Sequence, residues 1–296
     1  MKPYPFMQVD AFTDRPLGGN PCAILFDTDG MDEALMLAIA KEMNLSETAF
    51  VRRSDVADFG ARYFTPAVEI PLAGHPTIAT IFALIDSGRL TLTGDYTSVT
   101  LELPAGVIPI EIYASAGKVQ RIVMSQNKPQ FLATYRPADI LPLFNLTEAD
   151  ILADVPLQTV STGTPQLMVP LGSLEALQKI EMNIVAYKEL RAKGDFFSPH
   201  FFCVQGISDA GQTFARHFGV PPDTLEDPFT GSATGGMAAY LWHYNLIDKP
   251  EFVAEQGHWM GRPGQATVEV IGPRDDITAI KVGGGAAAIV RGELSL

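Results

Sequence analysis

Apolar residues along the chain fall mainly into short runs bounded by Gly, Pro, Asn or Asp, the pattern of strands in a folded core. Such runs occupy residues 7–12, 22–26, 48–52, 61–65, 99–103, 107–113, 119–124, 166–170, 200–204, 266–270 and 279–282. Helical periodicity is rarer. It is clearest over residues 32–43, where Leu35, Met36, Ile39, Ala40 and Met43 share one face. Weaker patterns predict helices over residues 77–87, 174–178, 183–192, 211–217 and 234–244. Strands outnumber helices and do not alternate regularly with them. The expected class is therefore α+β with curved, mostly antiparallel sheets rather than a doubly wound parallel sheet.

The two halves of the chain resemble each other. Glu69-Ile70-Pro71-Leu72-Ala73-Gly74-His75-Pro76-Thr77 and Glu226-Asp227-Pro228-Phe229-Thr230-Gly231-Ser232-Ala233-Thr234 both fit E-x-P-[LF]-x-G-x-x-T, and each precedes a helix-like stretch of small and apolar residues. This reads as an internal duplication. The stretch 78–85 is apolar all round and must be enclosed by other elements. Strands wrapped around such a helix make a half-open barrel. The expected organisation is two pseudo-symmetric domains, 1–120 and 121–296, with the last strand able to return to the first.

Composition narrows the function. The formal net charge is −13, from 21 Lys and Arg against 34 Asp and Glu. Such a surface repels phosphates, so neither nucleic acid nor an anionic membrane is expected as a partner. The two cysteines, Cys22 and Cys203, are too few for a disulfide framework and read as reduced thiols. The N-terminus shows no apolar leader, and no window is long enough to cross a bilayer, so a cytoplasmic location is expected.

Each repeat places a glycine where a helix begins. Free first-turn N–H groups at Gly74 and Gly231 could receive a carboxylate, or the glycines could simply make tight turns while Thr77 and Thr234 cap the helices. Facing helix starts would frame a pocket between the halves. Asn44-Leu45-Ser46-Glu47-Thr48 could be a capping box, but strand rather than helix follows it. A carboxyl at that strand entrance, among apolar neighbours, would have its pKa raised and be suited to carry protons. His75 at a buried helix start is either structural or functional, and Asp227 either a turn residue or functional. His200, His217, His243 and His258 show no metal-ligand spacing, so no metal is expected. Neither Gly18-Gly19-Asn20-Pro21 nor Gly283-Gly284-Gly285 has a nucleotide-binding pattern.

Together with Val9-Asp10-Ala11-Phe12-Thr13 and Phe64-Thr65-Pro66, the blocks Gly18–Pro21, Asn44–Thr48, Gly74-His75-Pro76-Thr77 and Asp227-Pro228-Phe229-Thr230-Gly231-Ser232-Ala233 resemble the signature of the PhzF-like phenazine-biosynthesis isomerases. They occur in the family's order through most of the chain. The resemblance implies a diaminopimelate-epimerase-like fold and a cofactor-independent isomerase. Its substrate would be a small cyclic amino or carboxylic acid such as trans-2,3-dihydro-3-hydroxyanthranilate. It implies Glu47 as the acid/base, with His75 and Asp227 as its catalytic partners, and Gly74, Gly231, Ser232 and Asn20 as substrate-binding positions. It also implies a homodimer. Related epimerases carry a cysteine at each helix start, where this chain has His75 and Ser232. A two-thiol racemase is thereby disfavoured, and an amino-acid racemase or a catalytically inactive binding or scaffold protein remain the alternatives.

Overall fold

The computed structural model describes residues 3–296. Met1 and Lys2, at the head of the segment read as leader-free, lie outside the described residues. The described residues form one continuous 18-stranded sheet, curved and open, with few helices. Most neighbouring strands run antiparallel, as the α+β expectation requires.

The pairing order repeats from one half to the other. Asn20–Leu25 runs parallel to Glu47–Arg52, which pairs antiparallel with Phe59–Phe64, which in turn is parallel to Tyr96–Leu103. Pro165–Pro170 likewise runs parallel to Ser198–Cys203, which pairs antiparallel with Thr213–Phe218, itself parallel to Glu251–Gln256. The halves meet where Lys118–Gln126 pairs with Ala279–Gly284. The strands that follow these two then change sides. Gln130–Tyr135 pairs with Leu157–Ser161, and Ala286–Ser295 pairs with Pro3–Ala11.

Each half wraps a helix of 13 residues, Gly74–Asp86 and Gly231–His243. Ile78, Ala79, Ile81, Ala83 and Leu84 of the first are buried, as are Met237, Ala238, Ala239, Tyr240 and Leu241 of the second, in one shared core. Burying each Ile, Leu or Met among them contributes about 1.5–3 kcal/mol, so a helix apolar on every face is held by the sheet around it rather than by its own propensity. Outer helices Glu33–Met43 and Ile184–Arg191 cover separate clusters on the outside.

One predicted helix is a strand. Residues 211–217 show an apolar spacing that mimics a helix, yet Thr213–Phe218 is extended with five of its six residues buried. A strand covered on both faces loses the alternation that marks it. The sequence patterns also missed Gln130–Tyr135, Leu157–Ser161, Glu251–Gln256 and Ala286–Ser295. No helix among the described residues is long and apolar enough to cross a membrane.

Candidate active site

The two central helices begin against each other. A Cβ on Gly74 would stand 3.1 Å from Gly231 Cα, and one on Gly231 would stand 3.0 Å from the Phe12 ring. Glycine is needed here for this close approach, not for a turn. Thr77 and Thr234 are not caps: their hydroxyls donate back to Ala73 O and Thr230 O inside the first turn. The capping positions themselves, Ala73 and Thr230, supply no side-chain cap, and neither first turn holds an acidic residue. Thr230 could cap, but its hydroxyl donates to Asp227 Oδ2 instead. The first-turn N–H groups are thus left without side-chain partners beside a cavity of about 360 Å³.

Ala73, Thr230 and Ser232 line that cavity from the helix starts, with Glu47 and Ser46 from the first half and Ser198, His217, Asp223 and Asp227 from the second. Gly74 and Gly231 lie just behind this lining, packed on one another. The cavity walls hold three carboxyl groups, those of Glu47, Asp223 and Asp227, and among the described residues no Lys or Arg. Nor do the described residues contain any cluster of three or more His, Cys, Asp or Glu able to hold a metal ion.

Glu47 enters from the first residue of its strand, where the register sets it beside Cys22. Burial pushes its carboxyl well above the ordinary range, and the charges of Asp227 and Asp223 push the same way. Its side chain keeps 17% exposure, which faces the cavity. Glu47 Oε2 stands 3.2 Å from His75 Nε2, close but not aligned as a hydrogen bond. Burial holds the His75 pKa down at about 3, so the imidazole is neutral.

Asn20 ties the halves together. Its Nδ2 donates to Asp227 Oδ1 at 2.8 Å and to Phe229 O at 2.8 Å, and lies 3.1 Å from His75 Nδ1. An amide nitrogen facing Nδ1 makes that ring atom the acceptor and leaves the proton on Nε2, toward Glu47. Asn20 is fully buried and does not line the cavity, so its amide reaches His75 and Asp227 rather than the open space expected of a substrate-binding position.

Asp227 also accepts from Ser46 Oγ at 2.8 Å. Burial raises its pKa, while the donors Thr230, Ser46 and Asn20 lower it. Glu47 has no such donors, so nothing offsets the rise that burial gives its carboxyl.

The chain as a whole matches a known family. A profile of the PhzC-PhzF family, described as phenazine biosynthesis-like protein, covers residues 9–292. The chain belongs to the PhzF family. The Bacillus subtilis (strain 168) protein named uncharacterized isomerase YfhB is 34% identical over 272 residues, covering 91% of this chain and 92% of that one. The trans-2,3-dihydro-3-hydroxyanthranilate isomerase of Pseudomonas fluorescens is 32% identical over 294 residues, 98% of this chain and 99% of that protein. A crystal structure of the Bacillus anthracis phenazine biosynthesis protein, PhzF family, superposes with a TM-score of 0.88 at 32% identity, covering 100% of both chains. The chain is an isomerase of the PhzF family.

In this PhzF-family isomerase, the sequence-predicted residues Glu47, His75, Asn20, Asp227, Ser232, Gly74 and Gly231 gather at one place. Cys22 is nearer to it than its strand-like context suggested, since it pairs in register with Glu47. Burial raises its thiol well above the usual range, and the Cys203 thiol reaches about 11. Neither is a thiolate near neutral pH. Sequence reading missed Ser46, Thr230, Ser198, His217 and Asp223. Ser46 adjoins Glu47 within its block and Thr230 lies inside the second repeat, so adjacency to the chosen residues was the available signal.

Proposed function

We propose that this isomerase moves a proton between two carbons of a small cyclic amino or carboxylic acid, with Glu47 taking the proton and returning it. The observation that carries the reading is a buried carboxyl with a raised pKa, open to a cavity and 3.2 Å from the Nε2 of a neutral histidine. A carboxyl of this kind is a strong base in its ionised fraction and a ready acid once protonated. The ionised Glu47 breaks a C–H bond of the substrate, and the electron pair spreads into the adjoining unsaturated system. Glu47 then delivers the same proton to a different carbon of that system. His75 Nε2–H steadies the Glu47 carboxylate while it is charged. Asp227, fixed by Asn20, Ser46 and Thr230, orients a donor group of the substrate. The helix starts and Ser232 receive the substrate carboxylate, where the dipoles offset the three carboxyls of the walls. In this reading the side chains suffice without a cofactor, and the protein works as a homodimer.

A racemase needs a second acid/base on the opposite face. Ser232, opposite His75 across the repeat, does not titrate near neutral pH, and both thiols are held protonated. The test uses trans-2,3-dihydro-3-hydroxyanthranilate, the compound for which the Pseudomonas relative is named, in deuterated buffer with excess EDTA. Wild type and Cys22→Ser/Cys203→Ser should both isomerise it, within a few-fold of each other. Glu47→Gln should bind it with neither turnover nor exchange. Exchange by Glu47→Gln at the wild-type rate, with none by His75→Ala, would make His75 the base.

A further inference from the structure

On the second-half wall of the cavity, His217 faces His200 across the ladder, their Nδ1 atoms 3.3 Å apart. Neither residue is used in the proton transfer. One Nδ1 must carry the proton and the other accept it, so the tautomers of the two rings are linked. The remaining nitrogens differ. His200 Nε2 is sealed in the protein with no partner, whereas His217 lines the cavity and its Nε2 makes no hydrogen bond within the protein.

That difference selects the tautomers. If His217 donated from Nδ1, His200 would bear its proton on the sealed Nε2, an orphaned N–H of the kind folded proteins avoid. The other arrangement leaves only a bare lone pair buried: His200 Nδ1–H donates to His217 Nδ1, and His217 carries its proton on Nε2, toward the cavity. Burial keeps both rings uncharged, His217 being held at about 3. The cavity thus has a neutral, fixed N–H donor on the strand Thr213–Phe218, paired in register with Asp227.

We infer that His217, held by His200, is a specificity-determining donor that binds an uncharged oxygen of the substrate, a hydroxyl or a carbonyl. The three wall carboxyls and the lack of Lys or Arg among the described lining residues select against a second carboxylate at this point. His217 touches the substrate, and His200 acts as its positioning residue. The inference rests on reading this cavity as the substrate site.

Two measurements on the full chain test it. Nitrogen-15 NMR of histidine-labelled protein should show His200 protonated at Nδ1 and His217 at Nε2; the reverse assignment would overturn the inference. Calorimetry then compares 3-hydroxyanthranilate with anthranilate, and trans-4-hydroxy-L-proline with L-proline. Wild type should favour at least one hydroxylated member about three- to tenfold, the net worth of one neutral hydrogen bond. His217→Phe should abolish that ratio while leaving the deoxy partner's affinity in place. His217→Gln, which keeps a donor, should recover part of it, and would serve alone if the Phe variant did not fold. No preference in wild type, or one unchanged in these variants, would overturn it. The Glu47 reading is judged separately by deuterium exchange, so either can fail while the other stands.

Discussion

Superimposing the pairing of one half on the other sets Glu47, Ala49, Tyr63 and Ile70 against Ser198, His200, His217 and Asp227. Ala49 pairs with Tyr63 and Tyr63 with Ile70, just as His200 pairs with His217 and His217 with Asp227. The scaffold around these positions is conserved between halves: Arg62 grips Glu69 with two bonds and lies 5.2 Å from the Phe64 ring, and Arg216 grips Glu226 and lies 4.8 Å from that of Phe218. The positions facing the cavity diverge. The first half offers Glu47, a carboxyl whose pKa burial raises; the second offers Asp227, the neutral imidazole of His217 and hydroxyl groups. The repeated frame keeps its supports while the groups it presents to the cavity differ.

The largest effect expected of that difference is at Glu47 and its counterpart. Glu47→Ala should lower substrate deuterium exchange by about 10²–10⁴-fold, the usual share of a positioned acid/base, while Ser198→Ala should stay within a few-fold of wild type. Comparable losses would mean that both halves carry protons. Asn20 and its counterpart Thr164 come next. Asn20→Ala removes a donor from Asp227 and from Phe229 O and leaves buried His75 Nδ1 unpaired, and should cost about 1–3 kcal/mol in denaturant unfolding, against less than about 0.5 kcal/mol for Thr164→Ala, whose hydroxyl has no buried partner to abandon. Equal costs would sink the bridging role of Asn20.

A further comparison lies in pH. His75 and His217 sit at about 3 in the folded protein, against about 6.5 for an unperturbed histidine. Between those limits the unfolded chain binds more protons, so stability falls as pH drops from 6.5 toward 3, by up to about 1.4 kcal/mol per unit for each histidine. His217→Phe should remove one such contribution; an unchanged slope would show that His217 is not held neutral. Glu47 has the opposite sign. Its folded pKa is raised above that of an ordinary glutamate, so its contribution is full below the ordinary value and is lost as pH rises through the folded pKa. Glu47→Gln should flatten that decline.

The duplicated motif, the two enclosed helices and the position of Glu47 were legible because each is local: a spacing, a run of apolar residues, a carboxyl at a strand entrance. The partners of Asn20 were not, since His75 and Asp227 lie 55 and 207 residues away along the chain and only folding joins them. His217 was obscured by a different cause. The strand that carries it is buried on both faces, and its apolar spacing mimics that of a helix. Ala61-Arg62-Tyr63-Phe64 and Ala215-Arg216-His217-Phe218 repeat one another, and that likeness was the readable sign that residues 211–217 are extended.

The exchange of outer strands carries a consequence for synthesis. Pro3–Ala11 pairs along its length with Ala286–Ser295, a strand made long after it. Until then one edge of that strand is open, a template for pairing with another chain. Contacts this distant in sequence close slowly because loop entropy must be met before they form. The first half therefore cannot complete its sheet while the second is still being made. Closing that strand pair is thus a late step of assembly.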